Sequence, residues 1–309
     1  MRMSLSKNNI IVPIADSEEF FITNPLYKTA DIISEEEVHQ LEQQNDPTGE
    51  FAKHAYLVDE EKEKKAFKYA YLDFIEKREE DEIQLFFVPN YSCNFACSYC
   101  YQEGYDPAKQ VLTTEIIDAF FNYIQQEFAG RRKYITVFGG EPLMPGAKQR
   151  ELITHLIKKS NESKLDLAFV TNGYTLVEYL DILKTASIRE IQVTLDGTME
   201  IHDQRRYRHG KLPTFSRIID GIDACLSAGI NINLRMVIDK DNIDNLPALS
   251  QFAIDKDWTT SPHFKTQIGR NYELHVCNSS PEKLFERAEL YQYIYRLLKI
   301  HPQDRKSVV

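Results

Sequence analysis

From about residue 83 onward, short runs of β-branched and aromatic residues alternate with longer segments of helical apolar spacing. The runs Ile83–Val88, Tyr134–Phe138, Leu165–Val170, Glu190–Leu195, Asn231–Ile238 and Phe264–Ile268 read as strands. The stretches near 114–128, 147–161, 175–185, 215–228 and 246–256 read as helices. In the first of these, Ile116, Ile117, Phe120, Phe121 and Ile124 share one stripe, as do Ile218, Ile222, Cys225 and Leu226 in the fourth. A last helix is expected from Pro281, a residue suited to a first helical turn, to about Ile300. Strands joined by helices imply a parallel sheet with right-handed crossovers. Near-continuous apolar strands imply a sheet covered by helices. The pattern fits a curved barrel and an open doubly wound sheet equally.

Residues 1–80 follow a different rhythm. Ile10–Ile14, Phe20–Ile22 and Ala30–Ile33 look like short strands, and Ser34 with Glu37 forms a capping box that opens a helix through Leu41. After the polar stretch Asn45–Gly49 comes the apolar piece Ala55–Val58, then a charged amphipathic helix through about Lys77. The expected organisation is a small α+β module over 1–80, a core domain over 81–275, and a C-terminal helix and tail over 276–309.

Composition narrows the class. Among 309 residues, 42% apolar and 27% charged is ordinary for a globular protein. The N-terminus has no apolar stretch long enough for a signal peptide, and no run reaches the ~18–20 apolar residues of a membrane span. No membrane association is expected. The net charge of −10 argues against a broad nucleic-acid surface, although Arg205-Arg206-Tyr207-Arg208 is a local basic run.

The chemistry is concentrated in three cysteines, Cys93, Cys97 and Cys100, directly after the first strand. Their C-x3-C-x2-C spacing lets three thiolates on one loop hold three irons of a four-iron cluster. The fourth iron then has no protein ligand and can bind a substrate, unlike the closed clusters held by four cysteines. The competing reading is structural zinc, which wants four ligands, usually as two separated pairs. Its fourth ligand would have to come from distant Cys225, Cys277 or a histidine. Five cysteines are too sparse, and odd in number, for a disulfide framework. Reduced thiols make the cytoplasm the expected compartment.

With Tyr99 before the third cysteine, the loop resembles the C-x3-C-x-aromatic-C signature of the radical S-adenosylmethionine (radical SAM) enzymes. Gly139-Gly140-Glu141-Pro142, Thr171-Asn172-Gly173, and Val193-Thr194-Leu195-Asp196-Gly197 followed by Ile201-His202-Asp203 resemble its later motifs in order. The likeness spans about residues 82–270 and is greatest for the peptide- and sulfatase-maturing (SPASM-type) branch. It implies a six-stranded partial (β/α)6 TIM-like barrel, which decides between the two sheet architectures. It also implies a [4Fe–4S] cluster held by Cys93, Cys97 and Cys100, with SAM on the open iron. Reductive cleavage of SAM would give a 5′-deoxyadenosyl radical for hydrogen abstraction, with a reductase or a flavodoxin- or ferredoxin-type protein as electron donor.

Gly139, Gly140 and Glu141 are expected at the SAM amino group, where glycines admit close backbone approach. The competing reading is a strand-end turn. Asn172 is expected to line the SAM or substrate cavity. Thr194 and Asp196 alternate with Val193 and Leu195, so they should face the barrel interior. Arg235, an arginine within a strand, needs a carboxylate from SAM or from a nearby Asp. A structural ion pair competes for Thr194, Asp196 and Arg235. His202 and Asp203, in an HD-x-x-R run, are expected to shape the loop after strand four. Cys225 reads as a packed core thiol. Cys277 has no assigned role, and no side chain is assigned as catalytic.

SPASM-type relatives continue into a cysteine-rich extension, whereas this sequence ends at Val309. The expectation is an enzyme with one cluster, or a shortened, non-catalytic homologue that binds peptide and SAM. An apolar face left open by the missing extension could be covered by a homodimer. The expected substrate is a peptide or protein, with the N-terminal module as a peptide-recognition domain or a cap on the barrel.

Overall fold

The computed structural model describes residues 3–100, 102, 112–271 and 281–300. Cys277 and the tail beyond 300 lie outside them. The chain divides into two compact units, Met1–Asp81 and Glu82–Val309.

In the first unit, β1 (Ser4–Leu5) pairs antiparallel with β5 (Leu57–Val58). Strands β2 (Ile10–Pro13), β3 (Glu19–Asn24) and β4 (Thr29–Ser34) form an antiparallel sheet in that order. Ser34 caps α1 (Glu35–Glu42) through the expected capping box. A short α2 (Glu50–Lys53) and the long α3 (Glu60–Glu80) complete the unit. Its core is Ile22, Ile33, Leu41, Phe51, Tyr56 and Leu57. Register places Val12 opposite Phe21, and Phe21 opposite Ile32, on an exposed sheet face.

In the second unit, β6 (Ile83–Phe87), β7 (Lys133–Val137), β8 (Leu167–Thr171), β9 (Ile188–Thr194), β10 (Ile232–Ile238) and β11 (Phe264–Arg270) form one parallel sheet. Their spatial order is their chain order. A doubly wound sheet reverses its order at a switch point. This one never reverses, so it curls as a partial barrel of the TIM type, with β6 and β11 as its two edges. Helices α4 (Thr114–Phe128), α5 (Ala147–Glu162), α6 (Leu176–Leu183), α8 (Phe215–Ser227) and α9 (Leu246–Asp255) follow successive strands, and α10 (Arg287–Ile300) packs on the same core through Leu290. The short α7 (Met199–Arg205) lies between β9 and α8.

The core is not where continuous apolar strands would put it. It lies between sheet and helices, where Ile135, Val137, Leu167, Phe169, Ile191, Val193, Ile232 and Leu234 meet the helix stripes. The other strand face carries Gln84, Thr136, Glu190, Gln192, Arg235 and Lys265 around a lumen cavity of about 400 Å³. There Gln84 donates to Thr136 and Gln192 donates to Gln267, both at 2.7 Å. The strands alternate, with one face packed and one wet.

Candidate active site

A cavity of about 420 Å³ opens at the carboxyl ends of the strands, where parallel α/β folds place their sites. Cys93, Cys97, Cys100, Gly139, Gly140, Asn172, Thr194 and Arg235 all line it. Eight expected site residues thus join the cavity from β9, β10 and the segments following β6, β7 and β8, and Arg206 and Gln102 join them there.

The loop after β6 is strapped to the loop after β7. Gly140 N–H donates to the Asn90 carbonyl at 3.0 Å, and Glu141 N–H donates to the Ser92 carbonyl at 2.8 Å. A Cβ on Gly139 would fall 2.4 Å from the Asn90 oxygen, and one on Gly140 would fall 2.1 Å from the Ser92 oxygen. The close approach that demands glycine here is therefore backbone to backbone. Gly139 also has φ +140°, in the region glycine favours. Its carbonyl accepts a 2.8 Å hydrogen bond from the buried Gln102 amide, a residue sequence reasoning did not single out.

Glu141 is fully buried and does not face the cavity. Its carboxylate accepts from Leu143 N–H at 2.8 Å, Thr171 hydroxyl at 2.7 Å and Asn172 N–H at 2.6 Å. It ties the GGEP turn to the TNG turn. Burial pushes its carboxyl up, against the pull of these hydrogen bonds. Asn172 in turn donates to Asn94 at 2.7 Å, inside the cysteine loop, and lies 3.8 Å from Cys93 Sγ.

Val193 and Leu195 are fully buried in the core while Thr194 lines the cavity, as strand alternation requires. Asp196 is fully buried in an ionic cluster. It accepts from Arg205 Nε at 3.3 Å and from Val237 N–H at 3.2 Å, and Arg205 also bridges both oxygens of Asp239 at 3.0 and 2.9 Å. This is the structural ion pair weighed for that position. Arg235 differs. Among the described residues it has no carboxylate within 4.0 Å, only Gln192 at 3.3 Å, and its Nε is buried without a partner. A Cβ on Gly269 would lie 2.6 Å from that Nε, so β11 leaves room for the guanidinium.

His202 is a buried structural group. Its Nδ1 accepts from Asp196 N–H at 3.2 Å, leaving Nε2 to donate to Thr214 at 3.1 Å. Burial, with Arg206 and Arg205 beside it, holds the imidazole well below its usual range. Asp203 accepts from Thr214 and Phe215 N–H at 2.7 and 2.9 Å, capping α8 from outside the helix. Cys225 is fully buried in the core.

The three cysteine thiols are half-buried. Burial, then the Glu141 charge, pushes Cys93 up to about 12 while Arg206 pulls the other way. Burial likewise raises Cys97. Thiols so held must lose protons on taking up metal, so assembly is coupled to proton release. Among the described residues no three His, Cys, Asp or Glu side chains converge as they would on one metal ion. Three soft thiolate donors around a roomy cavity, with an uncompensated guanidinium beside them, suit an iron–sulfur cluster and an anionic ligand on it.

Residues 87–253 match the model of the radical SAM superfamily, and the chain belongs to that superfamily. Its cofactors are a [4Fe–4S] cluster and SAM. The chain is 33% identical over 209 residues to a GTP 3′,8-cyclase of Rhizobium leguminosarum bv. trifolii, covering 65% of this chain and 53% of that protein. It therefore spans about half the length of such curated relatives. Among solved structures, anSMEcpe with bound AdoMet and Cp18Cys peptide aligns with a TM-score of 0.60 at 19% identity, over 74% of this chain and 63% of that one. Streptococcus suis SuiB bound to precursor peptide SuiA aligns with a TM-score of 0.56 at 14% identity, over 99% and 72%. At these identities the likeness is one of fold. Among the described residues no helix is long and apolar enough to cross a membrane.

Proposed function

We propose that this chain is a cytoplasmic radical SAM enzyme that modifies a peptide or protein. The observation that carries the reading is convergence: three cysteines, two glycines, Asn172, Thr194 and Arg235 line one cavity at the strand ends. Cys93, Cys97 and Cys100 hold the cluster. When bound, the cluster supplies the electron that splits the C5′–S bond of SAM into methionine and a 5′-deoxyadenosyl radical, which takes hydrogen from substrate. The chain binds and orients. Backbone at Gly139 and Gly140 meets the SAM amino group, Arg235 takes its carboxylate, and Asn172 and Thr194 offer polar contacts. Glu141 and Asp196 act through the turns they hold. A reductase or a flavodoxin- or ferredoxin-type protein delivers the electron.

The peptide half of the reading has two supports. Two solved structures of the same fold hold peptides. Among the described residues the first unit also presents unpaired sheet edges at β2 and β4, beside exposed Ile10, Val12 and Ile32, the kind of edge that accepts an added strand. A nucleotide substrate is the second reading, favoured by the identity to GTP 3′,8-cyclases and by Arg206, Arg235 and Arg270 in one cavity.

The test is anaerobic turnover with SAM and dithionite, presenting either GTP or short peptides encoded beside the gene. Release of 5′-deoxyadenosine stimulated by peptide, with a mass change in the peptide, is the expected result. Stimulation by GTP alone would overturn the peptide assignment. Peptide binding without any SAM cleavage would favour the non-catalytic homologue.

A further inference from the structure

The segment after α7 runs along the cysteine loop as a second backbone. Ala96 N–H donates to the Tyr207 carbonyl at 2.8 Å, Ser98 N–H donates to the Arg205 carbonyl at 3.0 Å, and Phe95 forms an antiparallel bridge with Arg208. These bonds alternate with the cysteines and fix Arg206 beside them. Arg206 donates to the Tyr99 hydroxyl at 2.8 Å, and its guanidinium carbon sits 5.9 Å from the Phe95 ring centroid. It is half-buried and lines the cavity with all three cysteines.

Its charge has no carboxylate in contact among the described residues, and the buried Asp196 and Glu141 act on it only from beyond 4.0 Å. Asp196 and Asp239 pair with the neighbouring Arg205, and Arg206 makes no ion pair within 4.0 Å among the described residues. Its Nε is buried with no hydrogen-bond partner among the described residues. A half-buried cation with no contacting counter-ion is stabilised when something anionic completes the site.

We propose that Arg206 is a positioning residue that supplies this counter-charge to the cluster and raises its reduction potential. The inference rests on the cluster assignment above. A cluster on three thiolates is anionic, and one added electron makes it more so. A fixed positive charge half-buried beside it therefore favours the reduced form. Fixing that charge by the backbone pairing, rather than by a flexible surface side chain, avoids reorganisation when the electron arrives. The same contacts with Tyr99 and Phe95 hold the loop in register.

The test compares wild type with Arg206→Gln and Arg206→Lys, reconstituted without oxygen, assayed for iron and sulfide, then titrated with dithionite and read by electron paramagnetic resonance. At the wild-type midpoint, Arg206→Gln is expected to show a tenfold lower ratio of reduced to oxidised cluster. For a one-electron couple that is a 59 mV fall. Arg206→Lys is expected to stay near wild type. An unchanged midpoint in a fully loaded Arg206→Gln would overturn the proposal and leave the cluster assignment intact. A wild-type chain that takes up no iron and sulfide would overturn both. Where Arg206→Gln cannot hold a cluster, Tyr99→Phe, which releases the guanidinium but keeps its charge, should shift the midpoint the same way by less. No shift there would overturn the proposal too.

Discussion

Gly140 and His202 carry the site in opposite ways, one by having no side chain and one by having a neutral one. A Cβ on Gly140 would meet the Ser92 carbonyl oxygen at 2.1 Å, and backbone cannot rotate away as a side-chain tip can. Gly140→Ala is expected to push the cysteine loop off its strap and cut the iron and sulfide retained after reconstitution to a small fraction of wild type. Iron and sulfide analysis checks it. His202 has a depressed native value, so the unfolded chain takes up its proton first as pH falls. The resulting stability is whole above about pH 6.5, the ordinary imidazole value, and is lost as pH drops below it. Denaturant midpoints measured between pH 8 and pH 5 should fall less steeply for His202→Gln than for wild type. At this scale the cysteine triad was legible because its geometry is local, three thiols on one loop. The partners of Glu141 were not, because Thr171 and Asn172 are some 30 residues away and only folding brings them near.

Elements repeat that division. The strands and the long amphipathic helices were readable because burial of a stripe imposes its period on the sequence. In α8, Ile218, Ile222 and Cys225 are fully buried as their spacing required. The short α7 is not legible as a helix, since seven residues carry too little periodicity and its buried members are His202 and Arg205. β1 carries no sequence signal, because two residues paired to a distant segment leave no pattern. Capping shows the limit best. Ser34 and Glu37 form their box within four residues and were found, whereas α8 is capped by Asp203, eleven residues before its N-cap Thr214. Asp203→Ala leaves two N–H groups of that helix end without their acceptor. A loss of about 1–2 kcal/mol in unfolding free energy is expected, measurable by denaturant titration.

For the whole molecule, the decisive feature is a sheet that keeps chain order across all six strands. Alternation alone could not separate barrel from open sheet, because both bury the helix-facing residues alike. Strand order does separate them, and it gathers segments from all six strand ends around one cavity. What the sequence patterning missed at this scale is the wet lumen, since polar residues inside a barrel look like polar residues on a surface. The central claim is that this cavity cleaves SAM through a cluster on Cys93, Cys97 and Cys100. The direct measurement is 5′-deoxyadenosine released from SAM under dithionite by the anaerobically reconstituted full chain, against Cys93→Ala/Cys97→Ala/Cys100→Ala. Release by wild type and none by the triple variant is the predicted result. A wild-type chain with its full iron and sulfide that releases no 5′-deoxyadenosine, with or without peptide, would contradict the account.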